Sequence, residues 1–144
     1  MIVLHQFAPN FGLINVSPFC LKLEAWLRLV GLPYRVEEVH DLAAAPKGRA
    51  PFIDDGQRRI GDSALIIAHL CDSRGVDPDA WLTPAQRGVG RAVEAMLEDR
   101  LYFAALHDRW MEPKHWPIVR AGLLAGLPDE IAEAIRGQQR ARLM

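Results

Sequence analysis

Ser17-Pro18-Phe19-Cys20-Leu21-Lys22-Leu23-Glu24-Ala25-Trp26-Leu27-Arg28-Leu29-Val30 is the stretch on which the fold turns. A hydroxyl stands where a helix should begin, proline takes the first helical position, and an apolar-periodic run follows. Serine accepts a hydrogen bond from an orphan amide, and proline gives up an N–H that had no partner there. Free amides and the positive end of the helix dipole gather at the same point, which suits an anion such as a thiolate. Upstream, Ile2-Val3-Leu4-His5-Gln6-Phe7 reads as a buried strand. Downstream, Gly31-Leu32-Pro33 stops the helix, and Tyr34 to His40 alternates apolar and polar as a second strand does. Strand, helix, strand is a βαβ unit with parallel strands and a right-handed crossover.

The pattern continues outward from that unit. Asp41 to Arg49 is polar and alanine-rich and accommodates a loop or one short helix. Phe52-Ile53-Asp54 and Arg58-Arg59-Ile60 flank Asp55-Gly56, which predicts a hairpin with a type I′ turn. Gly61-Asp62-Ser63 then leads into Ala64-Leu65-Ile66-Ile67-Ala68-His69-Leu70, a helix that either Asp62 or Ser63 can cap and that ends near Arg74. Thr83-Pro84-Ala85-Gln86 is a capping box opening a long helix to about Trp110. Further helices are expected from Pro117 to Leu124 and from Asp129 to about Leu143, the last acidic at its start and arginine-rich at its end. The expected division is an α/β domain at residues 1–74, a linker at 75–82 and a helical segment at 83–144.

Composition narrows the function classes. Of 144 residues, 50% are hydrophobic and 24% charged, enough for a real core, and the net charge of −1 leaves no basic stripe for nucleic acid. No apolar run is long enough to span a bilayer, and no secretory signal is visible at the N-terminus. Cys20 and Cys71 make no disulfide framework, which points to a reducing cytoplasm. The histidines His5, His40, His69, His107 and His115 lack metal-ligand spacing, so no metal is expected.

The joints together resemble the glutathione S-transferase superfamily, within it the metaxin-like and failed-axon-connections-like branch. The residues that carry the likeness are Ser17 to Glu24, Leu32-Pro33-Tyr34, Pro46-Lys47-Gly48-Arg49-Ala50-Pro51-Phe52-Ile53, and Gly61-Asp62-Ser63 before an apolar helix. It covers residues 2–74 specifically, and 83–142 by helix order. The resemblance implies a thioredoxin-like β-α-β-β-β-α domain with a mixed four-stranded sheet, followed by helices. It implies a cis Ala50–Pro51 bond, with the backbone of Ala50 pairing with the cysteinyl part of glutathione. Asp62 and Ser63 would hold the γ-glutamyl end, and Lys47 or Arg49 the glycyl carboxylate. Ser17 would be the catalytic residue, its hydroxyl favouring the thiolate of glutathione for attack on a small electrophile. Redox members of the superfamily carry cysteine where Ser17 stands, which disfavours dithiol chemistry here, and Cys20 reads as a buried, inert thiol.

Tyr102, Phe103, Leu106 and Trp110 make an aromatic-rich face on the long helix, which the resemblance places beside a second-substrate pocket. The helical segment is short for the family and reads as incomplete: a fragment, a shortened chain, or a core completed by another chain. An apolar face left open in that way makes a homodimer an expectation to test. Two functional classes follow, a glutathione S-transferase with glutathione as co-substrate, and a non-catalytic interaction module of the same fold.

Overall fold

A computed structural model describes residues 1–144 and divides them into two compact units, Met1–Trp81 and Leu82–Met144. The first unit is the thioredoxin-like domain. Strand β1 (Ile2–Gln6) leads through a long loop to α1 (Pro18–Leu29), and β2 (Tyr34–Glu38) returns parallel to β1. Strands β3 (Phe52–Asp55) and β4 (Arg58–Gly61) form an antiparallel hairpin, and β3 also lies antiparallel to β1, giving the mixed order β2-β1-β3-β4. Helix α2 (Ser63–Arg74) closes the unit and ends at Gly75, whose φ of 64° is the left-handed C-cap that glycine tolerates.

Alternation along the strands decides the core. Ile2 and Leu4 of β1 and Ile53 of β3 point to one face, where Leu23 and Leu27 of α1 and Ile66 and Leu70 of α2 bury against them. The same alternation sends His5, Phe52 and Asp54 to the opposite face. There the His5 and Phe52 rings stack at 4.3 Å.

One open choice is resolved and one expectation is corrected. The segment before Pro51 is a loop that carries a single 3₁₀ turn, Pro46–Gly48. The hairpin turn is formed by Gly56 and Gln57 rather than Asp55-Gly56, because Asp55 stays in β3 opposite Arg58. Only Gly56 has positive φ, so the turn is not type I′. Asp55 is held in the strand by its carboxylate, which accepts from His69 at 2.9 Å and Arg74 at 2.6 Å on α2.

The second unit is all helical. The Thr83 capping box opens α3 (Pro84–Met96), which passes through a π-helical turn, Leu97–Leu101, into α4 (Tyr102–Trp110). Helices α5 (Trp116–Gly122) and α6 (Asp129–Ala141) complete it around Trp110, Val119, Leu124 and Ala132. No helix is long and apolar enough to cross a membrane.

Candidate functional site

Strand register brings three of the sequence's joints to one end of the sheet. His5, near the C-terminal end of β1, lies opposite Phe52, the first residue of β3, and Phe52 lies opposite Gly61, the last of β4. The loop leading to Ser17, the turn through Pro51 and the start of α2 at Asp62-Ser63 therefore all emerge at that end. Gly61 makes the closest approach: a Cβ added there would lie 2.8 Å from Cβ of Pro46, so only glycine lets the Pro46–Pro51 segment rest on β4. The Asp62 amide donates to the Pro51 carbonyl at 3.4 Å, tying the two segments at the joint. The Ala50–Pro51 peptide is cis, as the resemblance implied.

Ser17 is half-buried and is the N-cap of α1. Its Oγ accepts from the Cys20 amide at 3.4 Å, and its own amide donates to Oδ1 of Asn15 at 3.0 Å. Cys20, one turn on, is fully buried; burial pushes its thiol pKa up, and hydrogen bonding from Ser17 and the Phe7 backbone opposes that without reversing it. A thiol held protonated and out of solvent is a poor nucleophile, so the inert reading of Cys20 fits. Cys71 is likewise raised, chiefly by burial.

Asp62, not Ser63, caps α2. Its Oδ1 accepts from the amides of Ala64 at 3.0 Å and Leu65 at 3.3 Å, while its backbone takes the unusual φ of 79°. A non-glycine residue in that region is strained and persists only where its surroundings fix it. Asp62 is exposed and Ser63 is buried beside it. Lys47 also has positive φ, 57°, and stands exposed on the 3₁₀ turn, as does Arg49 after it.

The aromatic face expected on α4 divides. Trp110 is buried in the core of the helical unit, 6.4 Å from the Trp116 ring, and Leu106 packs against the same cluster. These two pack within the core of the helical unit. Phe103 is exposed, and Tyr102 meets it edge-on at 5.5 Å.

The sequence reading missed two polar residues. Asn15 is only 2% exposed, and its Nδ2 donates to the Phe7 carbonyl at 2.7 Å. Glu24 is buried in the apolar stripe of α1 and accepts from Gln6 Nε2 at 2.6 Å, Arg28 at 2.5 Å and the Tyr34 hydroxyl at 3.2 Å. Burial works to raise the Glu24 carboxyl, but the bonds from Gln6, Arg28 and Tyr34 outweigh it and hold it below its ordinary value. Its helical spacing from Cys20 and Leu27 was the available signal: a carboxylate on a core-facing stripe requires buried partners.

Comparison with known proteins places this arrangement. A family model described as the glutathione S-transferase N-terminal domain matches residues 18–115. Failed axon connections of Drosophila melanogaster is 40% identical over 113 residues, which span 78% of this chain and 27% of that protein. An isoprene-epoxide–glutathione S-transferase of Rhodococcus is 29% identical, spanning 81% of this chain and 51% of that protein. Metaxin-3 of Xenopus laevis is 28% identical over 81% of this chain and 37% of its own length. The chain thus spans from about a quarter to about half the length of these relatives. Among solved structures, glutathione S-transferase III in its apo form superposes with a TM-score of 0.57 at 18% identity, covering 99% of this chain and 65% of that one. A Sulfitobacter glutathione transferase homologue with bound glutathione gives 0.53 at 15% identity, over 99% and 65%. At these identities the likeness is one of fold.

Proposed function

The chain belongs to the glutathione S-transferase N-terminal domain family, and we propose that it binds glutathione at the end of the sheet where Ser17, Pro51 and Asp62-Ser63 meet. The convergence of those segments carries the proposal. The exposed backbone of Ala50 pairs with the cysteinyl moiety, the Asp62 carboxylate faces the γ-glutamyl ammonium, and the start of α2 receives its carboxylate. Lys47 supplies a cation for the glycyl carboxylate.

The chemistry follows from Ser17. Its hydroxyl donates to the glutathione sulfur, lowering the cost of losing the thiol proton to solvent. The thiolate then attacks an electrophilic carbon, forming an S–C bond. With an epoxide the C–O bond breaks, and the resulting alkoxide takes a proton from water. A small epoxide is the electrophile to try first, because the Rhodococcus relative is named for one. Two unpaired cysteines suit a reducing compartment such as the cytoplasm. The exposed Val89, Val93 and Met96 of α3 favour association into a homodimer, and sedimentation giving a monomer at micromolar concentration rejects that part.

The test is Ser17→Ala with glutathione and an epoxide. Turnover falls roughly tenfold or more while the fold survives, since a lost cap costs only about 1 kcal/mol. Unchanged turnover ends the catalytic role of Ser17. Saturable glutathione binding without turnover of any electrophile supports the second reading, a binding module without catalysis. That reading has its own support in the likeness to Failed axon connections and Metaxin-3.

A further inference from the structure

We infer that Asn15 is a positioning residue for Ser17: it fixes the serine so that the hydroxyl proton is directed at the glutathione sulfur. The inference rests on the reading of Ser17 given above. Residues between β1 and α1 run over the surface, where a loop ordinarily has freedom, yet this one is clamped twice. At its tip, Asn10 and Leu13 exchange backbone hydrogen bonds of 3.2 and 2.9 Å around Phe11 and Gly12, both with positive φ, and the Phe11 amide donates to Asn10 Oδ1 at 2.7 Å. At its base stands Asn15, whose side chain is buried although the residues on its N-terminal side, Leu13 and Ile14, are exposed.

The Asn15 amide group uses both ends. Nδ2 donates to the carbonyl of Phe7, the residue leaving β1, at 2.7 Å. Oδ1 accepts from the Ser17 amide at 3.0 Å, an Asx turn that folds the chain into the cap conformation. Ser17 is therefore held from both sides, by Asn15 at its N–H and by the Cys20 amide at its Oγ. With the backbone of Ser17 tied to the end of β1 through one side chain, the position of the hydroxyl is referred to the sheet that also carries the Pro51 and Asp62 segments. Alanine at 15 removes that reference. It leaves the cap bond to Cys20 in place, so Ser17 remains an N-cap but a less accurately placed donor.

The experiment follows the bound thiol directly. Wild type, Asn15→Ala, Asn15→Ser, Ser17→Ala and the Asn15→Ala/Ser17→Ala double variant are titrated with reduced glutathione by calorimetry. The ultraviolet absorbance of the bound thiolate is then recorded against pH, and kcat and KM are measured with chlorodinitrobenzene. The expected result for Asn15→Ala is about a threefold to tenfold smaller thiolate fraction at a given pH, with glutathione Kd changed by less than about twofold. The loss should appear in kcat rather than KM for glutathione, and should vanish in the Ser17→Ala background, where there is no hydroxyl to position. Asn15→Ser retains an acceptor able to form the weaker hydroxyl version of the turn, and recovers part of the loss. It also carries the test if the alanine variant fails to fold, because both variants lose the Nδ2 donor to the Phe7 carbonyl but only serine keeps an acceptor for the Ser17 amide. A Ser17→Ala shift without any shift from the Asn15 variants, or an Asn15 effect that persists undiminished without the Ser17 hydroxyl, overturns the positioning role alone. A wild type that does not bind glutathione, or whose bound thiol titrates as free glutathione does, overturns the reading of Ser17 and this inference with it.

Discussion

Asp62 does two jobs that substitution can separate, because one uses a lone pair and the other a charge. Its Oδ1 caps α2 by accepting from Ala64 and Leu65, and on the proposed reading its negative charge faces the glutathione ammonium. Asp62→Asn keeps an oxygen for the cap and removes the charge. The cap loses only the attraction of a full charge for the helix N-terminus, about 0.3–1 kcal/mol. For a unit the size of Met1–Trp81, where 1 kcal/mol moves the melting midpoint by about 4–8 °C, the fall is about 1–8 °C. Asp62→Ala loses the cap outright, about 0.5–2 kcal/mol, and also keeps the strained φ of 79°. Asp62→Gly loses the side chain but relaxes that φ, since glycine is both at ease there and an acceptable N-cap. The predicted stability order is wild type and the asparagine variant close together, the glycine variant near them, and the alanine variant lowest. The predicted glutathione order differs: an exposed charge contact is worth up to about 1 kcal/mol, so all three variants bind up to about fivefold more weakly. Thermal unfolding by circular dichroism and calorimetric titration with glutathione read the two orders independently. If Asp62→Asn binds as the wild type does, the charge is not a ligand contact. If affinity instead follows the melting temperatures across the series, Asp62 acts on binding only through the fold.

Three further outcomes follow from the same domain. Glu24→Ala leaves the Gln6 amide and the Tyr34 hydroxyl without their buried acceptor, and should cost about 2–3 kcal/mol in denaturant unfolding, with Glu24→Gln recovering part of it. The Arg59 guanidinium, helped by His5, holds the Asp54 carboxyl down at about 2. A depressed carboxylate stabilises the fold above its unfolded pKa of about 3.9, and that contribution is lost as pH falls from about 4 through about 2. Asp54 is part-exposed, so solvent screening limits the contribution to about 1 kcal/mol, and acid unfolding of Asp54→Asn should be flatter across that window. Gly61→Ala drives a Cβ into Pro46 and should cost about 1–3 kcal/mol and weaken glutathione binding, read by melting and calorimetry together.

The order of elements was legible because each boundary is set by local chemistry. Ser17-Pro18, Thr83-Pro84-Ala85-Gln86 and Gly75 start or stop helices through their own side chains and backbone preferences, and the helices begin or end where those residues stand. The hairpin turn moved by one residue because its position was decided at a distance, by His69 and Arg74 gripping Asp55 from α2. Trp110 could not be assigned from periodicity for a similar reason: helical spacing says that it shares a face with Leu106, but not that α5 and α6 cover that face. Asn15 was illegible altogether. An asparagine in an irregular loop has no period, and its role depends on Phe7 and Ser17 lying on either side of a turn that forms only once β1 and α1 are packed.

The site end of the domain and its opposite face are held by different forces, and this has consequences for how substitutions act. Apolar burial of Ile2, Leu4, Leu23, Leu27, Ile53, Ile66 and Leu70 fixes the sheet against α1 and α2. That attraction is non-directional, and it sets the spacing of layers without setting the orientation of a hydroxyl or a carboxylate. Orientation comes from directional bonds: Asn15 for Ser17, Asp62 for the start of α2, and Glu24 for the junction of β1, α1 and β2. Thinning the apolar core should therefore lower stability while glutathione affinity, measured well below the melting temperature, holds. Removing one directional bond should do the reverse, altering the site at a smaller cost to the fold. Leu27→Ala and Asn15→Ser make the comparison. The first should cost about 2–5 kcal/mol and leave the titration of the bound thiol unchanged, and the second should shift the thiol with a smaller loss of stability. If both variants change thiol and stability in the same proportion, the packing of the core and the geometry of the site are a single property, and the division argued from these bonds is wrong.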